Sequence, residues 1–276
     1  MNTIILHTDK LDIAEKIAST IRAAYESRKA HFRFYTEQAV DIEALREEFK
    51  VDINYLPKTT VFDFTKTALF VSDMDSTLIN IECIDEIADF ANLKPQVAAI
   101  TEKAMQGELD FNASLIERVG LLKGLNVSVL DKVYTERLQV NEGGEALVAF
   151  LKSKNIKNAV VSGGFTYFTH RLAEDIELDY DRANKLEIVN NQLTGKVEGD
   201  IVNATAKAEF VTELCQKYAI SLNQVIVAGD GANDLEMMKL AGLSVAYHAK
   251  PAVVKYADIV LNYGGLDKIM DLFPTD

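Results

Sequence analysis

The sequence predicts an α/β fold: a doubly wound parallel sheet with an inserted helical cap, preceded by a small N-terminal α/β domain. Three observations predict it. Short, continuous apolar runs at residues 68–72, 158–161, 224–228, 243–247 and 258–261 alternate with segments of helical periodicity. Strands buried on both faces and separated by helices mark a parallel sheet. Three of these runs end in acidic, hydroxyl or glycine residues, and open α/β sheets bind ligands beyond those ends. Finally, residues 81 to about 140 break the alternation with helical patterning and no clear strand, so they read as an insertion.

Taken in order, residues 3–7 and 32–35 predict strands. Ile13, Ile17, Ile21 and Ala24 recur at helical spacing, as do Ile42, Leu45 and Phe49. This first unit is expected over residues 1–60, with Pro57 and the polar residues after it as a linker. The sheet is expected over residues 67–276, with the cap inserted at about 80–140.

Composition narrows the partners. The 276 residues carry 29 Lys and Arg against 42 Asp and Glu, for a net charge of −13. Such a surface repels polyanions, so nucleic acid is an unexpected partner, although one basic pocket for a small anion is compatible with it. No apolar run is long enough for a bilayer. The N-terminus has neither a basic region nor a cleavage-like site, so no signal peptide is expected. Cys83 and Cys215 are far apart and lack CxxC companions, which suits buried thiols in a reducing compartment. The cytoplasm is the expected location. His7, His31, His170 and His248 are scattered without metal-ligand spacing. Asp85, Glu86 and Asp89 read as a solvated helix face.

Four groups carry chemistry. Asp73-Met74-Asp75-Ser76-Thr77 follows the first sheet strand. Residues two apart in an extended segment point the same way, so Asp73 and Asp75 can reach one site. Two close carboxylates ionise together only at high cost, and a hard cation such as Mg²⁺ relieves it. The pair suggests an ionised Asp73 as nucleophile and a protonated Asp75 for the leaving oxygen. Alone, the same residues read as an acidic turn capping a helix. The second group, Ser162-Gly163-Gly164, offers a hydroxyl and approachable backbone N–H groups for phosphate oxygens. Alone, it is also an ordinary strand-to-helix turn.

The third is Lys207, in the first turn of the helix whose apolar row is Phe210, Leu214 and Tyr218. A cation there opposes the helix dipole, and with the helix N-terminus it makes an anion site. A solvated surface lysine is the plain alternative. The fourth is the run from Gly229 to Asp234. Asp230 suits a second carboxylate ligand, Asn233 can donate to a phosphate oxygen, and Asp234 could orient Lys207 or a metal-bound water. An Asp-, Asn- and Gly-rich turn is common in its own right. The four groups come in order, each at a strand end or helix start, which argues against four coincidences.

In these groups the chain resembles the haloacid dehalogenase superfamily of phosphotransferases, over roughly residue 67 to the C-terminus. The resemblance implies a Rossmann-like core, Asp73 as nucleophile and Asp75 as acid/base. It implies Mg²⁺ held by the Asp73 and Asp230 side chains and the Asp75 main-chain carbonyl, and a phosphoryl group held by Ser162 and Lys207. Within the superfamily the cap is similar to that of the phosphoserine phosphatases, on residues 80–82, 105–111 and 118–125. That similarity assigns Glu82 to the substrate ammonium and Arg118 to its carboxylate, with Met105 and Phe111 shielding the site. Arg118 shares a helical stripe with Phe111, Leu115 and Leu122, and an arginine on an apolar stripe wants an anionic partner or a route to water. O-phospho-L-serine carries the three groups demanded. The implied activity is its Mg²⁺-dependent hydrolysis, the last step of L-serine biosynthesis. Two rivals are a phosphotransferase to another small alcohol and a non-catalytic phosphoserine or serine sensor, although binding alone has no need of Asp73. Some relatives carry a ligand-binding ACT domain at the N-terminus, but residues 1–60 show no readable motif. Oligomeric state is left open, with a homodimer among the options.

Overall fold

The computed structural model describes residues 2–58, 61–105 and 108–274, apart from the Met105 side chain. The chain opens with β1 (Asn2–Leu6), α1 (Leu11–Ile21), β2 (Ala24–Ser27), β3 (Phe32–Thr36), α2 (Ile42–Phe49) and β4 (Ile53–Leu56). The strands pair antiparallel in the order β2-β3-β1-β4. Ala14, Ile17 and Ile21 of α1 bury against Ile4, Leu6, Phe32 and Phe34, which closes a small core of its own. Ala24 departs from the expected helical row. Arg22 turns left-handed at φ 50° and ends α1 at Ile21, so Ala24 falls in β2.

The second sheet begins with β5 (Leu69–Ser72). The insertion follows as α3 (Cys83–Phe90), α4 (Lys94–Met105), α5 (Phe111–Leu121) and α6 (Ser128–Glu136). The chain returns through α7 (Gly144–Ser153), β6 (Lys157–Phe165), α8 (Thr166–Asp175), β7 (Tyr180–Val189) and β8 (Gln192–Glu198). It closes with α9 (Ala204–Tyr218), β9 (Val225–Gly229), α10 (Leu235–Leu240), β10 (Leu243–Tyr247), α11 (Pro251–Val254) and β11 (Ile259–Leu261). The seven strands lie in the order β11-β10-β9-β5-β6-β7-β8. All pairs are parallel except β7–β8.

All five predicted sheet runs are strands. Their residues alternate between two cores, as Phe70 against Leu69 and Val71 show, so both faces are covered. Four strands were not legible: β2, β4, β7 and β8. Strand β7 reads Tyr-Asp-Arg-Ala-Asn-Lys-Leu-Glu-Ile-Val, mostly half-exposed, and has no apolar run. It turns into β8 at Asn190-Asn191, both at positive φ (52° and 60°), a pairing that suits a tight hairpin.

Polar contacts dock the small sheet onto the end of the large one. The buried Asn54 amide copies a strand, donating to the Val260 carbonyl at 3.0 Å and accepting from its N–H at 2.9 Å. Asp52 accepts from the N–H groups of Asn262 (2.6 Å) and Gly264 (2.7 Å). His7 and His31, scattered in sequence, converge on opposite oxygens of Asp271 at 3.0 and 3.3 Å. Among the described residues, no helix is long and apolar enough to cross a membrane.

Candidate active site

Strand β5 lies between β9 and β6, so the chain leaves it in both directions across the sheet. A crevice forms beyond such a switch point. The three strands deliver Asp73, Ser162 and Asp230 to that one end.

The turn after β5 is held tightly. Asp73 Oδ1 accepts from the Met74 N–H at 2.7 Å. Ser76 sits left-handed at φ 57°, an uncommon state for a side-chain-bearing residue and one that collects at functional sites. Asp75 turns its carboxylate toward the cap and β6. Its Oδ1 accepts from the Cys83 N–H at 2.7 Å and its Oδ2 from the Ser162 hydroxyl at 2.8 Å. A Cβ on Gly164 would lie 2.6 Å from that same Oδ2, so a larger residue there would displace the Asp75 carboxylate. Ser162 Oγ also accepts from the Gly164 N–H at 2.8 Å.

Lys207 is no surface lysine. It is 0% exposed, and its Nζ lies 2.8 Å from Asp73 Oδ1 and 2.8 Å from Asp234 Oδ1. Asn203 caps the helix that carries it, accepting from the Ala206 N–H. Burial alone would lower the Lys207 ammonium, but Asp234 and Asp73 outweigh it and hold the group above its ordinary value. The Asp73 carboxyl is itself pushed well up, first by burial and then by Asp234, with Lys207 opposing. One cation therefore leaves surplus negative charge in a dry site. Asp230 is raised for the same reasons, burial first and Asp234 next.

That surplus is what a bound cation would relieve. Asp73, Asp230 and Asp234 each offer a carboxylate oxygen, all within 4.8 Å of one another. This buried acidic trio can hold a metal, and its oxygen-only donors suit a hard divalent ion. Asp234 is already occupied: Oδ1 by Lys207, and Oδ2 by the N–H groups of Asp230 (3.2 Å) and Gly231 (3.0 Å). Direct ligation therefore falls more naturally to Asp73 and Asp230.

The cap supplies the outer wall. Glu82 precedes α3 and accepts from the Ser76 hydroxyl at 2.7 Å. Desolvation of its carboxyl and the neighbouring Asp75 push it up to about 7, although the residue as a whole is exposed, and solvent screening moderates the effect. Arg118 on α5 is half-buried, and burial lowers its guanidinium while Asp85, Glu82 and Asp75 support the charge. Its Nε donates to the Ser114 carbonyl at 3.3 Å, and among the described residues no carboxylate comes within ion-pairing distance. Phe111, at the start of α5, touches the phosphate-side loop: a Cβ on Gly163 would lie 2.8 Å from Phe111 Cζ. Asn233 sits in the tight turn after Asp230 and is half-exposed. Met105 ends α4, but its side chain lies outside the described residues. Of the acidic residues read as a solvated face, Asp85 is half-buried and faces Arg118, and Glu86 pairs with Arg137 at 3.3 Å.

Residues 67–242 match the family described as haloacid dehalogenase-like hydrolase. The chain belongs to the haloacid dehalogenase-like hydrolases. The phosphoserine phosphatase of Polaromonas sp. (strain JS666) is 51% identical over 209 residues, 74% of this chain and 89% of that protein. Two solved structures extend the likeness through the N-terminal sheet. A HAD family hydrolase from Salmonella enterica serovar Typhi superposes with a TM-score of 0.90 at 32% identity, covering 100% of both chains. A probable phosphoserine phosphatase from Vibrio cholerae gives 0.85 at 38% identity, covering 98% of this chain and 85% of that one. The matched residues 67–242 take in both the first strands of the parallel sheet and the helical insertion between β5 and β6.

Sequence reasoning missed several residues that build the site. Ser76 holds Glu82, the Cys83 N–H holds Asp75, and Lys250 lies 3.8 Å from Asp230. Ser76 could have been found as part of the Asp73–Thr77 run. The other two act through backbone or long-range contacts and leave no local signal.

Proposed function

We propose that this chain is a phosphoserine phosphatase, which hydrolyses O-phospho-L-serine to L-serine and phosphate with Mg²⁺ as cofactor. The observation that carries the reading is the buried Asp73–Lys207–Asp234 cluster, with Glu82 and Arg118 on the cap wall beside it. The relatives' names point the same way. Two separate, buried cysteines suit a reducing cytoplasm.

The chain's own groups account for each demand. Lys207 and the loop from Ser162 to Gly164 bind the phosphoryl oxygens. Arg118 takes the substrate carboxylate and Glu82 its ammonium, while Phe111 excludes water. Asp73 attacks phosphorus through a carboxylate oxygen as the bond from phosphorus to the serine oxygen breaks. Asp75 gives that oxygen a proton, leaving an aspartyl phosphate. Asp75 then takes a proton from a water whose oxygen attacks phosphorus, and phosphate departs from Asp73. A magnesium ion, held by the Asp73 and Asp230 carboxylates and the Asp75 carbonyl, would supply charge neutralisation at the phosphoryl group.

The test is phosphate release from a panel of small phosphate esters, with Mg²⁺ and with EDTA. A strong, metal-dependent preference for O-phospho-L-serine is expected. Metal-dependent release from other esters but not this one would discard the substrate, and no release at all would discard the reading.

A further inference from the structure

Strand β6 pairs with β7 residue for residue as far as Val161↔Arg182, and pairing resumes only at Phe165↔Asn184. The intervening Ser162-Gly163-Gly164 faces the single residue Ala183, so this segment bulges off the ladder. A bulge re-aims side chains, but it leaves backbone groups without sheet partners. The Gly163 carbonyl is one of them, and a side chain replaces the missing partner. Asn184 Nδ2 donates to it at 2.8 Å.

The other end of the same amide is also engaged. Asn184 Oδ1 accepts from the Val202 N–H at 2.8 Å. Val202 is followed directly by Asn203, which caps α9 and whose carbonyl accepts from the Lys207 N–H at 2.9 Å. Asn184 is 1% exposed, so neither bond can be exchanged for water. One planar amide thus spans the gap between the loop bearing Ser162 and the helix bearing Lys207.

We propose that Asn184 is a positioning residue for the phosphate end of the substrate, which rests on the phosphatase reading above. It touches no reacting atom. It sets the separation between two phosphate-binding elements that otherwise belong to different strand–helix units. Without it the Gly163 carbonyl loses its partner and the peptide can rotate, carrying the Gly164 N–H and Ser162 Oγ with it. A displacement of about 1 Å in such a loop costs on the order of 100-fold in rate. The carboxylate and ammonium ends are held by Arg118 and Glu82 on the cap, and the Asn184 amide bonds to neither.

The experiment compares Asn184→Asp, which keeps the acceptor for Val202 but loses the donor to Gly163, with wild type. Inhibition constants for inorganic phosphate and for L-serine are measured against turnover of an aryl phosphate, alongside thermal unfolding. The phosphate constant should rise by about tenfold or more, the worth of one buried hydrogen bond, while the serine constant stays within about twofold. Arg118→Ala is the mirror control, weakening serine and sparing phosphate. Equal shifts in both constants, or no shift in phosphate, would overturn the proposal. If Asn184→Asp does not fold, Asn184→Ser removes the span without adding charge and carries the same test. If neither folds, Asn184 is a folding determinant and the proposal fails. A wild type that hydrolyses the aryl phosphate but ignores phosphoserine and L-serine would refute the substrate alone, since the phosphate constant still reads the loop.

Discussion

Lys207 and Asp73 form an ion pair 2.8 Å long in which the lysine has no solvent contact. Breaking a buried pair from one side leaves an uncompensated charge, at about 3–5 kcal/mol. Lys207→Ala should therefore lower stability by that order, and should also remove phosphoryl stabilisation worth roughly 100-fold or more in rate. Urea unfolding and turnover measured on the same preparation check both. A stable, active variant would show that the pair is incidental.

Asp73→Asn makes the opposite prediction for stability. It removes one charge from a surplus of carboxylates while leaving Asp234 on Lys207. In EDTA its melting temperature should equal or exceed that of wild type, and Mg²⁺ should raise it less than it raises wild type. Turnover should be abolished. Residual activity near wild type would remove Asp73 from the nucleophile role.

The Glu82 carboxyl, raised to about 7, gives a pH dependence with a definite sign. Only its ionised form attracts an ammonium group, so kcat/KM for phosphoserine should fall as pH drops through about 7. Bound metal beside Asp75 and Asp230 would move that limb lower. Glu82→Gln should flatten it, and an unchanged acid limb in that variant would assign the titration elsewhere.

Arg118→Ala should damage phosphoserine far more than a simple aryl phosphate. Loss of a charge-assisted pair of hydrogen bonds is worth about 1.5–3 kcal/mol, or roughly 10- to 150-fold in kcat/KM. Equal losses on both esters would make Arg118 a packing residue.

The docking of the small sheet is testable through Asp271. Burial raises its carboxyl, but hydrogen bonds from His31 and His7 prevail and hold it below the usual range. A depressed carboxylate stabilises above its unfolded value, and that contribution is lost as pH falls through the folded value, here below 3.8. Asp271→Asn should cost about 1.5–3 kcal/mol at pH 7, with the gap to wild type closing in acid. Urea titrations at both pH values would show it, and a pH-independent gap would refute the linkage.

Much of the site could be read from residue types because its chemistry is local. Asp73 and Asp75 share one turn, Asp230 to Asp234 share another, and Ser162-Gly163-Gly164 ends a strand. Lys207 stood out because a lysine in the first turn of a helix opposes the dipole, and the structure answers that oddity with Asp73 and Asp234. The strands β7 and β8 were hidden because half-exposed, charged strands carry no apolar run. Asn184 was hidden with them, as one polar residue among several.

The sequence by itself determined the parallel sheet, the inserted helical cap and the order of the four acidic, hydroxyl, lysine and glycine groups. These follow from periodicity and from side-chain chemistry, which are properties of neighbouring residues. Only the tertiary structure decided that Lys207 is buried between two carboxylates, that Asp75 leans on Ser162, and that Asn184 spans the loop and the helix. It alone brought His7 and His31 to Asp271, residues more than 200 positions apart. Such pairings depend on which strands become neighbours, and that is set by burial of the whole sheet rather than by any local pattern.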